Sequence, residues 1–485
     1  MKRFDDKGMP TPEALEDERR LQERYSGYRG VDADYVHAGS AALERWWDMK
    51  FGIRIHWSLY AIMGLGGESW PLCRPNEYLP ARHAATFRAQ YEEQYKSWMP
   101  SQYDARQWCD LFQRAGLKFF TLTAKHHDGF SLYDTQTRVR RRRVHVGPDA
   151  GKIVPCDLAY SIMEGPYKRD IVRELTTEAR ARGLGIGLYY SNIDWFDMDF
   201  RIDDYMGRDW GYNPETDPDG FARLVARHRA QVLELCSNYG PIDMLSMDTY
   251  FADFGRKWDM HKRIHETVKL ARRLQPNLLF RNRNTEPFGD YCTPEGTVPP
   301  DPNDPETTLG LPWKVIYPGG DTFSFKWGDN YKPASWIITN LVDIVAKGGN
   351  FQVGYGPGPN GEWDPIIVRR LEQVGDWLKA NGEGIFATRP CQVWREGENV
   401  RYTRSKDGKT VYAFLLNWQN STAQVRLTGV RAKSGSQVRM LGLDHSFKYA
   451  QDPHALTIEV PADQIANSRL PDANVAMAFK IEAAK

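Results

Sequence analysis

The chain has 485 residues, enough for a large core, and its 64 basic and 63 acidic side chains nearly cancel, so no global field favours nucleic acid or an anionic membrane. Its six cysteines are widely spaced without a CxxC pair, which argues against a zinc knuckle and a dense disulfide scaffold. Aromatic residues are abundant (16 Trp, 24 Tyr and 21 Phe), and this composition fits a carbohydrate site because aromatic faces pack against sugar rings.

The N-terminal segment, residues 1–45, is charged and predicts a helical extension around Pro10 to Arg24 on the outside of the core domain. It contains no apolar stretch typical of a signal peptide, and no other segment reaches the length of a membrane span. We therefore expect a cytoplasmic protein without a membrane partner. An exported mature form, its leader already removed, is also compatible with the sequence.

Four apolar runs between Phe51 and about Arg389 end abruptly in polar residues. They are FGIRIHW (51–57), FFTLTAKHHDGF (119–130), GIGLYYSNIDW (185–195) and IDMLSMD (242–248). Buried parallel strands have this texture when they deliver polar groups to a site at their carboxyl ends. The pattern predicts that several strands converge on one polar face.

Amphipathic helical runs alternate with these strands, which predicts parallel βα units whose helices form an outer ring. The clearest helix is 170–183, with apolar side chains at helical spacing and Gly183 at its end. The other helix candidates are 103–115, 219–238, 258–274, 333–347 and 363–380.

The texture changes after Pro390 to short alternating segments separated by turn residues, including VRYTRS, TVYAFLLNW and VAMAFKIEA. Such segments are typical of an antiparallel β-sandwich. We place the boundary near residue 392, which divides the chain into a catalytic domain at 1–391 and a sandwich at 392–485.

Several motifs occur in a fixed order: FGIRIHWSLY, LTAKHHDGF, YGPIDMLSMD, GDYCTPE and LVDIVAKGGNFQVGYGPGPNGEW. In these motifs, over roughly residues 45–390, the chain resembles the retaining α-L-fucosidases of glycoside hydrolase family 29. The resemblance implies a (β/α)8-like barrel followed by a β-sandwich, and a retaining exo-glycosidase that hydrolyses terminal α-L-fucosides through a covalent glycosyl-enzyme intermediate. It implies a fucosylated oligosaccharide or glycoconjugate as substrate and no cofactor, and it leaves a homo-oligomer open.

Retaining glycosidases use two carboxylates about 5 to 5.5 Å apart, one as nucleophile and one as acid/base. The resemblance assigns the nucleophile to Asp248, at the end of IDMLSMD, and the acid/base to Glu295 in GDYCTPE. Some family members carry a glutamate directly after the tryptophan that corresponds to Trp313. That position is Lys314 here, which leaves Glu295 as the candidate.

The resemblance also supplies candidate substrate-binding residues. Three histidines would bind sugar hydroxyls because neutral imidazole both donates and accepts hydrogen bonds. Three aromatic residues would wall the pocket, and one arginine would orient a catalytic carboxylate. In that order, these residues are His56, His126, His127, Trp57, Trp70, Tyr190 and Arg283. We expect no metal, because adjacent strand residues such as His126 and His127 point to opposite faces.

The chain departs from the family pattern at Ser58, Ser246, Thr249 and Lys314. These departures leave open a glycosidase for a related sugar, such as an α-L-galactoside, and a catalytically weak carbohydrate-binding homologue.

An insertion-like stretch at 137–167 carries arginines at 138 and 140–143. Because it follows the second strand on the catalytic face, it would contact an anionic substrate group or an acidic partner, or it is a solvated loop.

Overall fold

A computed structural model shows a parallel barrel followed by antiparallel sheets. The residues it describes are 35–200, 216–248, 260–282, 285, 288–293, 310–416, 423–461 and 475–484. The helix predicted around Pro10 to Arg24 lies outside these residues.

The strands of the first part of the chain form a parallel sheet and one hairpin. Numbered along the chain, these strands are β1 (Phe51–Ile55), β2 (Phe119–Lys125), β3 (Val139–Arg143), β4 (Ile153–Leu158), β5 (Gly185–Ser191), β6 (Met244–Asp248), β7 (Leu279–Phe280), β8 (Lys314–Pro318) and β9 (Asn350–Tyr355). Seven of them pair in parallel in the order β7-β6-β5-β2-β1-β9-β8, and β3 pairs with β4 as an antiparallel hairpin. Every residue of β1, β2 and β5 is buried, as expected for strands covered on both faces.

A two-residue segment connects the two edge strands of the parallel sheet. Tyr291 bridges in parallel to Arg281, directly after β7, and Cys292 bridges in parallel to Trp313, directly before β8. This segment stands where an eighth strand would close the barrel. The predicted (β/α)8-like barrel is therefore confirmed, with its eighth strand reduced to two bridging residues.

Helices cover the outside of the sheet. They are α1 (Ser40–Met49), α2 (Tyr60–Met63), α3 (Trp70–Cys73), α4 (Ala84–Glu93), α5 (Ala105–Arg114), α6 (Ile171–Ala181), α7 (Pro218–Ser237), α8 (Met260–Leu274), α9 (Ala334–Ala346) and α10 (Pro365–Asn381). The predicted helices agree with α5 to α10 to within about two residues. The aspartates Asp104, Asp170, Asp217 and Asp364 precede α5, α6, α7 and α10, and each caps its helix by accepting a backbone N–H hydrogen bond.

The last part of the chain forms two antiparallel sheets. Their strands are β10 (Arg389–Glu396), β11 (Val400–Arg404), β12 (Thr410–Leu415), β13 (Gln424–Leu427), β14 (Val438–Met440), β15 (Ser446–Phe447), β16 (Tyr449–Gln451), β17 (Leu456–Glu459) and β18 (Met477–Glu482). The larger sheet has the order β10-β11-β12-β18-β14-β15, and the smaller has the order β13-β17-β16. Side chains from both sheets, among them Leu427, Ile458 and Phe479, share one buried core, which confirms the predicted β-sandwich.

Specific contacts join the sandwich to the barrel. The Arg401 guanidinium contacts the Asp343 carboxylate of α9 at 2.6 Å, and the Trp377 indole of α10 donates to the Ala476 carbonyl at 2.6 Å. Tyr412 and Phe414 of β12 belong to the barrel's hydrophobic cluster. The sandwich thus packs on the helices of the barrel and not on the carboxyl ends of its strands.

Candidate active site

The carboxylate of Asp248 lies at the carboxyl end of β6, where barrel enzymes hold their catalytic groups. Its Oδ2 accepts a hydrogen bond of 2.8 Å from the Tyr189 hydroxyl, and its Oδ1 lies 3.3 Å from Nη1 of Arg281. The Asp248 side chain retains 18% of its exposure, whereas Arg281 retains 4%. One partly open carboxylate is therefore held in place by two buried donors.

The three predicted histidines gather beside this carboxylate. The ring centroids of His126 and His127 lie 4.1 Å apart, and that of His56 lies 6.0 Å from His126. The expectation that His126 and His127 point to opposite faces is wrong, because β2 ends at Lys125 and strand alternation no longer applies in the turn that follows. Both imidazoles consequently lie on the same side of the site.

Burial keeps these imidazoles neutral. It holds the pKa of His56 and of His126 well below the ordinary value, and neighbouring cationic groups act in the same direction. For His127, burial lowers the pKa to about 4 although the charge of Asp248 opposes the shift. Neutral rings can both donate to and accept from vicinal hydroxyl groups, which suits a sugar ligand.

Neighbouring hydroxyl groups orient two of the rings. Nδ1 of His127 is 2.5 Å from the Ser191 hydroxyl, and Nδ1 of His126 is hydrogen-bonded to the Ser69 hydroxyl. In both histidines Nδ1 is thus engaged by a neighbouring hydroxyl, which fixes the orientation of the ring.

Aromatic side chains surround the histidines. The Trp70 indole makes edge contacts with His127 at 5.4 Å and with Trp195 at 5.5 Å, so Trp70 lies beside the histidine group, where it was predicted. Phe323 packs 5.2 Å from His56. Trp195 and Phe323 were missed from the sequence, although Trp195 ends one of the apolar runs that pointed to the site.

Two predicted pocket residues lie elsewhere. Trp57 is fully buried in an aromatic cluster with Trp98 and Trp108, and its indole donates to the Gly358 carbonyl at 3.0 Å. The His56 backbone still pairs with the sheet through the Tyr355 carbonyl, so the chain remains extended there and Trp57 faces the other side. Trp57 is a core residue, not a wall of the pocket.

The second correction concerns Tyr190, whose hydroxyl donates to Gln231 of α7 at 2.8 Å. Its ring packs toward the helical layer, again because neighbouring strand residues alternate. The tyrosine that contacts Asp248 is Tyr189, one position earlier.

Two other predicted residues, Glu295 and Arg283, lie outside the described residues. The arginine that the structure places on the Asp248 carboxylate is Arg281, from the same LLFRNRN segment. Its role as a carboxylate partner was assigned to Arg283 in the sequence.

Cationic side chains fill the barrel interior near Asp248. The Arg54 guanidinium lies 4.2 Å from the centre of the Tyr189 ring, and Nζ of Lys314 lies 5.1 Å from that of Tyr291. Burial and the charges of Arg54 and Arg281 hold the pKa of Lys314 well below its ordinary value. Among the described residues, the guanidinium groups of Arg54 and Arg281 thus lie near one carboxylate, that of Asp248.

Ser246, one of the positions at which the chain differs from the family pattern, also lies in this interior. The Ser246 hydroxyl is 2.9 Å from the Tyr291 hydroxyl, and both side chains are buried. A tryptophan, the usual residue of the family two positions before the nucleophile, would occupy far more volume than this serine.

A separate cavity of about 600 Å³ opens at the other end of the strands. Its lining includes Trp46, Asp243 and Gln275, and Asp243 precedes β6 whereas Asp248 ends it. The cavity is therefore distinct from the candidate site.

No group of three or more His, Cys, Asp or Glu side chains within the described ranges could hold a metal ion. None of the described helices is long and apolar enough to cross a bilayer.

Sequence and structure comparisons give a consistent result. The profile of the family described as alpha-L-fucosidase matches residues 31–383, and that of the alpha-L-fucosidase C-terminal domain matches residues 395–482. Tissue alpha-L-fucosidase of Homo sapiens is 26% identical over 482 residues, which cover 94% of this chain and 93% of that protein. Alpha-L-fucosidase isoenzyme 1 from Paenibacillus thiaminolyticus is 28% identical with a TM-score of 0.72, covering 92% of this chain and 99% of that one.

A glycoside hydrolase family 29 alpha-L-fucosidase from Bacteroides thetaiotaomicron, trapped as a covalent intermediate with 2-fluoro-fucosyl fluoride, also shares the fold. Its TM-score is 0.72 at 20% identity, with 94% of this chain and 99% of that chain covered.

Proposed function

The chain belongs to the α-L-fucosidase family and hydrolyses terminal α-L-fucosides with retention through a covalent glycosyl-enzyme intermediate, and we propose that Asp248 is the nucleophile of this reaction. The contact geometry of Asp248 carries the proposal: a partly exposed carboxylate at the carboxyl end of a barrel strand, held by Tyr189 and Arg281.

The acid/base of the proposed mechanism is Glu295. It protonates the departing oxygen while Asp248 attacks C1, and it then removes a proton from the water that releases fucose. The motif GDYCTPE and the replacement of the rival glutamate by Lys314 support this assignment. The substrate is a fucosylated glycan. We further propose that the neutral imidazoles of His56, His126 and His127 bind its ring hydroxyls.

Variants of the two carboxylates test the assignment. Asp248→Gly should lower turnover of an aryl α-L-fucoside by several orders of magnitude, since the covalent step needs this side chain. Added azide should restore part of the rate and give a fucosyl azide of inverted configuration. Glu295→Ala should lose far more activity on an oligosaccharide than on an aryl fucoside with an acidic phenol.

The matched control is Asp376→Ala, which removes a 63% exposed carboxylate on α10 and should leave turnover unchanged. Turnover by Asp248→Gly at the wild-type rate would overturn the nucleophile assignment. If Glu295→Ala slows both substrates equally, another residue is the acid. A panel that includes an aryl α-L-galactoside separates the related-sugar alternative, because a wider polar pocket would favour that substrate.

A further inference from the structure

Arg54 lies beneath the proposed nucleophile in an unusual environment for an arginine. It stands in the middle of β1 with 2% of its surface exposed, two residues before His56 and therefore on the same side of the strand. Its guanidinium lies over the ring of Tyr189, 4.2 Å from the centroid. The side chain points into the barrel, toward the site.

None of the described carboxylates forms an ion pair with this arginine. Its Nε and Nη1 atoms are buried and have no hydrogen-bond partner among the described residues. Burying a charged group without hydrogen bonds costs several kcal/mol or more. The burial of Arg54 therefore does not stabilise the folded protein. The guanidinium contacts the Tyr189 ring, and the Tyr189 hydroxyl in turn contacts Asp248.

Tyr189 connects the two groups. Its hydroxyl donates to Asp248, and burial, followed by the charge of Asp248, raises its pKa well above the ordinary value, so it stays protonated and remains a donor. The His126 ring is stacked on the same tyrosine at 5.6 Å with an interplanar angle of 18°. A cation over an aromatic face withdraws electron density from the ring and strengthens its hydroxyl as a donor.

We propose that Arg54 is a positioning residue that acts on Asp248 through Tyr189 and favours the carboxylate form of the nucleophile. This proposal rests on the assignment of Asp248 under the proposed function. Arginine keeps its charge throughout the working pH range of an enzyme, so its action on Tyr189 is constant.

The two chemical steps respond to Arg54 in opposite ways. In the first step, a carboxylate oxygen of Asp248 bonds to C1, the bond from C1 to the aglycone oxygen breaks, and the acid/base protonates that oxygen. In the second step, water bonds to C1, the ester bond breaks with its electron pair returning to Asp248, and the water proton passes to the acid/base. Stabilising the carboxylate therefore speeds the second step and opposes the first.

Several other charged and titratable groups face Asp248. Arg281, after β7, contacts it directly, and the imidazoles of His56, His126 and His127 respond to its charge. Lys314 of β8 lies lower in the same interior, against the rings of Tyr291 and Phe119, so its described ring contacts are not with Tyr189. It provides a matched control, because it is also a buried amine or cation of the barrel interior.

The test compares Arg54→Met with Lys314→Met on an aryl α-L-fucoside whose leaving group is good enough that the second step limits turnover. Arg54→Met should lower kcat about tenfold because the covalent intermediate accumulates, and it should lower KM by a larger factor because the first step is no longer opposed, so that kcat/KM rises above the wild-type value. Lys314→Met should keep both constants.

A double-mutant cycle decides whether the effect passes through Tyr189. In a Tyr189→Phe background, which lacks the hydroxyl, Arg54→Met should change kcat by no more than about twofold. If Arg54→Met does not fold, Arg54→Gln gives the same readouts. A fall in kcat at unchanged KM, independent effects of the two substitutions, or unchanged constants would each overturn the proposal. Failure of the Asp248→Gly test instead would overturn the nucleophile assignment, whatever Arg54 does.

Discussion

Two groups of buried ionisable side chains lie on opposite faces of the parallel sheet and differ in the ratio of basic to acidic groups. The first, the flanking network, contains Lys125, Asp194, Asp197 and Arg227, two cations and two carboxylates between β2, β5 and α7. The second, the interior cluster, contains Arg54, Arg281, Lys314 and Asp248. Its three basic side chains share a single carboxylate among the described residues.

The pKa values of buried groups in the flanking network and in the interior cluster reflect the different charges around them. In the flanking network, the charges of Lys125 and Arg227 overcome burial and lower the pKa of Asp194, whereas burial raises the pKa of Asp197 to about 6. In the interior cluster, burial and the neighbouring cations act together to lower the pKa of Lys314. The flanking network pairs two basic with two acidic side chains, whereas the interior cluster sets the guanidinium groups of Arg54 and Arg281 near one described carboxylate, that of Asp248.

Breaking the balanced network should have the largest effect on stability. Arg227→Met would leave Asp194 and Asp197 buried with one cation, Lys125, and should lower the free energy of unfolding by about 3–5 kcal/mol. Chemical denaturation measures this loss. Arg229→Met, on the same helix, is the control: its guanidinium is 32% exposed and paired with Glu266, so its loss should cost less than about 1 kcal/mol. Equal losses for the two variants would show that the flanking network is not a stabilising unit.

The unbalanced cluster should respond in the opposite direction. Lys314→Met replaces a buried amine with an apolar side chain and should raise the free energy of unfolding by about 1–4 kcal/mol near neutral pH. Because the pKa of Lys314 is lower in the folded protein, protonation favours the unfolded chain, and the wild type loses stability as pH falls below the unfolded value near 10.4. The advantage of the variant should therefore be larger at pH 7 than at pH 10.

Denaturation curves of the wild type and Lys314→Met at both pH values measure this difference. Lys379→Met, which removes a 75% exposed lysine, should show little change at either pH. A destabilised Lys314→Met would mean that the amine supports the barrel interior.

The barrel and most of its polar face could be predicted from the sequence. An apolar run that ends in polar residues can be recognised without knowing how its strand pairs with the neighbouring strands. His56 and Asp248 needed only the end of their strands to be recognised. Strand alternation should have excluded Trp57, since it cannot face the same side as His56. The same rule makes Arg54 an interior residue, and that signal went unused.

The sequence alone could not decide whether Tyr189 or Tyr190 faces the site. Alternation shows that one of the two faces the site, but not which one. That depends on how β5 pairs with β6, where Tyr189 stands opposite Ser246 and Ser191 opposite Asp248. Such a register is set by tertiary pairing and cannot be read from either segment alone.

The arginine run of the β3–β4 hairpin should show the smallest effects, because carboxylates of the chain itself meet its charges. Arg138 and Arg140 contact Asp157 at 2.7 and 2.6 Å, Arg141 contacts Asp217 at 2.7 Å, and Arg142 contacts Glu93 at 2.7 Å. The repulsion that suggested an anionic ligand is thus offset within the protein, in favour of the solvated-loop interpretation.

Arg140→Ser, at a side chain 52% exposed, should therefore change the free energy of unfolding by less than about 1 kcal/mol. It should leave KM unchanged for a neutral aryl fucoside and for a sulfated one. Arg141→Ser is the sharper comparison, since its guanidinium is 22% exposed and also pairs with Asp199, so its loss should cost more stability than that of Arg140. A rise in KM for the sulfated fucoside alone, largest at low salt, would instead restore the anionic-substrate hypothesis, because a direct ion pair with the substrate is screened by salt.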